Sequence, residues 1–207
     1  MTQRKLDEFA KLQVDVNACS LCQSMQGRHK VLSAKNGSLD ACVVFIAEAP
    51  GRLGADKSMY PLSGDQTGRN FDALLEVAQI DRKKVFITNA VLCNPRDDFG
   101  NNARPSSQQL EFCAQYLQRT LDIVRPKIVV TLGQQALRSL NKLEQHQIKL
   151  SRASLDHGQT YSWRNTILYP LYHPSPKVYN LHRSKEEQEN DFSHLRELII
   201  KKTVSIL

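Results

Sequence analysis

The sequence predicts an α/β protein, a three-layer α/β/α sandwich around a short, mostly parallel central sheet. Three observations carry this. Four short apolar runs stand far apart in the chain, helical periodicities separate them, and no linker or internal repeat divides the 207 residues. A chain of this length holds one compact core. A single domain spanning residues 1–207 is expected, with residues 1–40 as its N-terminal segment.

The apolar runs lie at residues 42–47, 85–88, 128–132 and 166–172, and read as strands buried on both faces of a parallel sheet. Between the first two, Phe71, Leu74, Leu75 and Ala78 recur at helical spacing over residues 68–79. A second helix is predicted over residues 107–124, opened by Ser106 with Gln109 three residues later and closed by Arg125-Pro126. A third opens at Gly133. The last, over residues 185–202, sets Phe192, Leu195, Leu198 and Ile199 on one face.

In open parallel sheets ligands bind beyond the carboxyl ends of the strands. The residues there are Glu48-Ala49-Pro50-Gly51, Asn89 and His173-Pro174-Ser175. An acid, an amide and an imidazole on one sheet edge make a polar pocket suited to a planar heterocycle. The net charge of +7 favours an anionic partner, with nucleic acid first. No stretch approaches the roughly 18 apolar residues of a membrane span, and the opening residues lack a signal-peptide core. A soluble cytoplasmic monomer is expected.

Five cysteines fit a full disulfide set poorly. Cys19 and Cys22 have C-x-x-C spacing, while Cys93 and Cys113 stand at a strand end and on the following helix. Two such pairs can make one four-thiolate site, and thiolates suit zinc or an iron–sulfur cluster alike. Cys42, among Val43, Val44 and Phe45, reads as a buried thiol outside this set.

Ala47-Glu48-Ala49-Pro50-Gly51 resembles the Gly-Glu-Ala-Pro-Gly motif of family 4 uracil-DNA glycosylases, and Thr88-Asn89-Ala90-Val91-Leu92-Cys93-Asn94-Pro95 is similar to their second strand-end motif. His173-Pro174-Ser175 completes the set. The loop from Tyr60 to Gly68 looks more like the Pro-Phe-Thr-Gly-Asp-x-Ser-Gly stretch of family 5. The resemblance implies a DNA-repair glycosylase acting on DNA that carries uracil or another deaminated base, and it implies a [4Fe–4S] cluster on Cys19, Cys22, Cys93 and Cys113 in preference to zinc. The spacing of Cys93 and Cys113 indicates a loop insertion between residues 96 and 105.

Breaking an N-glycosidic bond asks for an extruded base, a reader of its Watson–Crick edge and a stabiliser of the departing anion. Asn89 can address N3–H and O4 with one amide. His173 can donate to O2 as charge develops there. Glu48 can favour the cationic sugar and deprotonate the attacking water. The expected base-binding set is Ala47, Glu48, Ala49, Tyr60, Leu62, Asn89 and His173. Both families carry an aromatic stacking platform where this chain has Leu62; Tyr60 is its nearest substitute, with Phe99 and Phe71 farther off.

Ser175, Lys177, Val178, Tyr179 and Arg183 are expected to meet DNA, with Val178, Tyr179 or Leu181 as a wedge and Lys177 and Arg183 on phosphate. The competing reading is an iron–sulfur nucleic-acid-binding or redox protein on the same fold without glycosylase activity. A nucleotide-binding enzyme is disfavoured, because neither a G-x-x-x-x-G-K-S/T loop nor a G-x-G-x-x-G turn occurs.

Overall fold

The computed structural model describes residues 2–204. Strand β1 (Val43–Ala47) pairs in parallel with β2 (Phe86–Asn89) on one side and β3 (Ile128–Leu132) on the other. Beyond β3 lies β5 (Thr166–Leu171), also parallel, and at the edge β4 (Tyr161–Trp163) runs antiparallel to it. The strand order is β2-β1-β3-β5-β4. All residues of β1, β2 and β3 are buried, which is why these strands read as runs of β-branched or apolar residues.

Two apolar cores lie on opposite faces of the sheet, giving the expected three layers. On one face pack α1 (Gln3–Ala18), α4 (Ser107–Val124) and α5 (Gln134–Glu144). On the other, α3 (Gln66–Val77) and α8 (Lys185–Val204) meet around Phe45, Phe71 and Phe192, and the Phe45 and Phe71 rings lie edge to face with centroids 5.1 Å apart. Phe192 and Leu195 are fully buried, and Leu198 and Ile199 pack beside them, as the periodicity requires. The α4 cap also forms as expected: Ser106 Oγ accepts from the Gln109 backbone N–H and the Gln109 side chain accepts from the Ser106 N–H.

Three further helices, α2 (Ala55–Ser58), α6 (Arg152–Asp156) and α7 (Pro176–Leu181), are too short to show a sequence period. The three-residue β4 is likewise too short for alternation to register. In contrast, α1 carries Phe9, Leu12 and Val16 at helical spacing and buries all three, so its signal was present.

The sheet order places a topological switch point between β1 and β3, since the chain leaves β1 towards β2 and returns across it to β3. A crevice beyond the strands' carboxyl ends follows from that geometry.

Candidate active site

A cavity of about 800 Å³ opens there, and Glu48, Asn89 and His173 all line it. Glu48 follows β1 directly, Asn89 ends β2 and His173 stands two residues past β5, so three parallel strands deliver one side chain each to the same space. Ala47 and Asn89 are register partners, and the Ala90 and Val91 N–H groups donate to the Ala47 and Glu48 carbonyls at 2.8 and 3.1 Å. The acid and the amide are thereby held by backbone bonds.

Asn89 is 2% exposed, and its Nδ2 is buried with no hydrogen-bond partner among the described residues. An unmet amide donor costs roughly 1–3 kcal/mol, a cost that a carbonyl arriving in the cavity removes. Burial raises the Glu48 pKa above its ordinary value, and Arg104, at the cavity mouth, partly offsets that. Burial pushes the His173 pKa down to about 4, opposed by the Asp65 carboxylate, so the imidazole is neutral at neutral pH.

Gly133, at φ +94°, lets the β3 turn approach His173: a Cβ there would stand 3.3 Å from the His173 Cβ. Asn70 on α3 donates to the Pro174 carbonyl at 2.8 Å and fixes the His173-Pro174 turn from the other side. Asp65 caps α3 through the Gly68 N–H at 2.9 Å while lining the cavity. The sequence assigned no role to Asp65, Asn70 or Arg104; Asp65 lies inside the Tyr60 to Gly68 loop and Arg104 inside the 96–105 insertion, whereas Asn70 acts only through a contact 104 residues away.

Ala49 and Leu62, expected at the base, line the cavity, and so do Ser175, Lys177 and Val178, which were expected to meet DNA. Four expectations are corrected. Ala47 is fully buried inside β1 and its side chain cannot reach a ligand. Tyr60 faces away: its ring lies under the Arg82 guanidinium at 4.6 Å and its hydroxyl accepts from Arg82 Nε at 2.8 Å. Tyr179 buries its hydroxyl, which removes it as a wedge, whereas Leu181 on the same helix is 64% exposed. Arg183 is 4% exposed and donates to both Asp191 oxygens at 2.6 and 3.1 Å, so it anchors α7 to α8 instead of meeting phosphate.

Neither remote aromatic supplies the missing platform. Phe71 belongs to the core and Phe99 is 90% exposed at the tip of the expected insertion. That insertion is a hairpin closed by an Arg96–Asn102 bridge, and it is tied to the Glu48 turn by Asn94 Nδ2 donating to the Pro50 carbonyl at 2.6 Å and by Arg96 Nη2 on Asp56 at 2.8 Å. Leu62 therefore forms this wall without an aromatic ring of the loop beside it. On the uracil DNA that the resemblance implies as substrate, Leu62→Phe should raise kcat/KM by about tenfold, the scale of one base–aromatic contact, and Tyr60→Ala should leave it unchanged. Kinetics of base release under subsaturating DNA checks both, and a fall with Leu62→Phe would mean that the wall has no room for a ring.

The four cysteines converge on the α1/α4 side. Cys19 caps α1, Cys22 follows it, Cys93 lies just beyond β2 and Cys113 is buried on α4. None is in a disulfide, and all four belong to or pack against the same core cluster. Burial pushes the Cys93 thiol up to about 11 and Cys113 up to about 12, with the other cysteines adding to both. Mutual proximity and desolvation suit a thiolate set neutralised by a metal centre. Among the described residues no three His, Cys, Asp or Glu stand close enough to hold a single metal ion. No helix there is long and apolar enough to cross a membrane.

A mostly parallel α/β sandwich with an acid, an amide and a neutral imidazole at its switch point defines the class of α/β proteins with a polar pocket for a planar heterocycle. The sequence model of the Uracil DNA glycosylase superfamily matches residues 34–196, and the chain belongs to that superfamily. It is 32% identical over 200 residues to a Type-4 uracil-DNA glycosylase of Sulfurisphaera tokodaii, covering 94% of this chain and 86% of the relative. A Type-4 uracil-DNA glycosylase of Archaeoglobus fulgidus is 32% identical over 170 residues, 80% of this chain and 81% of the relative. A Type-5 uracil-DNA glycosylase of Pyrobaculum aerophilum is 28% identical over 160 residues, 71% of this chain and 67% of the relative.

Proposed function

We propose that this protein is a monomeric DNA-repair glycosylase that takes extruded uracil into the cavity and hydrolyses its N-glycosidic bond. The observation that carries this reading is the buried, unpartnered Asn89 amide facing the same cavity as Glu48 and His173. A site built to donate a hydrogen bond to a base rejects, by leaving that donor unmet, ligands lacking the acceptor. Uracil O4 is such an acceptor, and the Asn89 carbonyl complements N3–H.

As the C1′–N1 bond stretches, negative charge spreads over the base and positive charge over the sugar. The neutral His173 ring donates an N–H to O2 and stabilises the departing anion. Glu48, whose carboxylate form the Arg104 charge favours against the effect of burial, faces the developing cation and accepts the proton of the water whose oxygen bonds to C1′. Uracil leaves with the electron pair of the broken bond and takes a proton from solvent. The products are free uracil and an abasic site.

Cys19, Cys22, Cys93 and Cys113 are assigned to a [4Fe–4S] cluster. Four thiolates suit zinc or an iron–sulfur centre alike, and the likeness to the family 4 and family 5 enzymes favours the cluster. Such a centre would cross-link α1, the end of β2 and α4 next to the hairpin that holds the Glu48 turn. Lys177 and the exposed Leu181 lie on the face that would meet phosphate and the vacated stack.

The test is incubation of iron-loaded protein with oligonucleotides carrying uracil, hypoxanthine or no lesion, followed by alkaline cleavage at abasic sites. Scission at uracil is expected. Iron-loaded protein that binds these oligonucleotides and cleaves none of them would leave the non-catalytic iron–sulfur reading in its place.

A further inference from the structure

We propose that Tyr172 and His182 form a second subsite in the same cavity, a stacking shelf for the nucleobase next to the excised one. The inference rests on the glycosylase reading for the identity of its ligand, a DNA strand. The two rings are nearly parallel, 13° apart in plane with centroids 6.3 Å apart, and both residues line the cavity with His173. A pair of this kind offers a flat π-face, and stacking on such a face accepts any base.

The shelf is built and held. Tyr172 is half-buried against the α3/α8 core, which fixes the inner ring. The chain then turns through His173-Pro174-Ser175, passes along α7 and returns His182 to Tyr172, its backbone N–H donating to the Val178 carbonyl at 2.9 Å. The next residue, Arg183, is locked into α8 by its paired bonds to Asp191 and its contact with Asp156. That buried ion pair pins the outer ring.

His182 is exposed, and its ring nitrogens have no hydrogen-bond partner among the described residues, so its outer face and edge are available. Lys177 lines the same cavity and supplies positive charge for the connecting phosphate. Since Tyr172 directly precedes His173, the shelf lies one residue from the group that would hold the excised base. Adjacent nucleotides of one strand would occupy the two positions together, uracil against Asn89 and His173 and its neighbour on the rings.

The experiment uses full-length, iron-loaded protein and single-stranded oligonucleotides in which the base on the 3′ or the 5′ side of uracil is replaced by a stable abasic analogue. Wild-type kcat/KM should fall by about tenfold when one of the two neighbouring bases is removed. His182→Ala should lose a similar factor on the intact strand and become insensitive to that removal, while His182→Phe should restore both activity and sensitivity. Equal sensitivity in wild type and His182→Ala, or none in either, overturns the shelf. The same cycle is read by fluorescence anisotropy with 2′-fluorinated, cleavage-resistant uracil strands. Absent base release with an intact binding cycle would sink the glycosylase reading and keep the shelf; base release without coupling would do the reverse.

Discussion

His173→Ala should slow uracil release by at least about a hundredfold while leaving DNA affinity nearly unchanged. The hydrogen bond to O2 strengthens as the base becomes anionic, so its loss falls on kcat more than on binding, and deleting one such donor costs about 10²–10³ in rate. Glu48→Gln should match it, because the amide neither carries the charge that faces the sugar nor accepts the water's proton. The pH profiles tell the two apart. Burial raises the Glu48 pKa, so activity should fall with acidification on a limb lying above the ordinary carboxylate value, and Glu48→Gln should abolish that limb. His173, held down to about 4, stays neutral across the assay range and should leave the limb in place when replaced.

The same His173 shift has a stability consequence of defined sign. The unfolded chain protonates this ring near 6.5 whereas the folded protein does so only near 4, so stability is gained as pH rises through that window and lost as pH falls through it. Single-turnover assays from acid to neutral pH on the three proteins check the assignment. A limb near 6.5 that vanished only in His173→Ala would mean that the ring acts as an acid or base and that the electrostatic role is wrong.

Cys113→Ala should remove the iron and lower the melting temperature by about 10 °C or more, equivalent to about 4 kcal/mol in a chain of this size. The residue is 7% exposed on α4, and its partners sit at the end of α1 and beyond β2, so the centre joins three segments that are far apart in the chain. Broad absorbance near 400 nm, iron content and thermal melts read the effect. Cys42→Ser is the control: Cys42 precedes β1, away from the other four, and should keep both iron and colour. Stoichiometric zinc and no iron in cell-native wild type would refute the cluster.

The sequence by itself determined the sheet and the residues at its carboxyl edge. Strands buried on both faces are built mainly from β-branched and apolar residues, so β1, β2, β3 and β5 stood out as runs, and Glu48, Asn89 and His173 stood out as the polar residues at their ends. Helices with one buried face left their period in α3, α4 and α8, and Ser106 announced its own cap. Side-chain direction was what the tertiary structure decided. Tyr60 and Leu62 are two residues apart in one loop, yet Leu62 adopts φ +45° and enters the cavity while Tyr60 turns to Arg82, a residue 22 positions away. Arg183 looked like a phosphate contact because basic residues surround it, and only the packing of α7 on α8 brings Asp191 and Asp156 to its guanidinium. Local periodicity records which face is buried; it carries no trace of the long-range partner that a polar or aromatic side chain finds once the layers close.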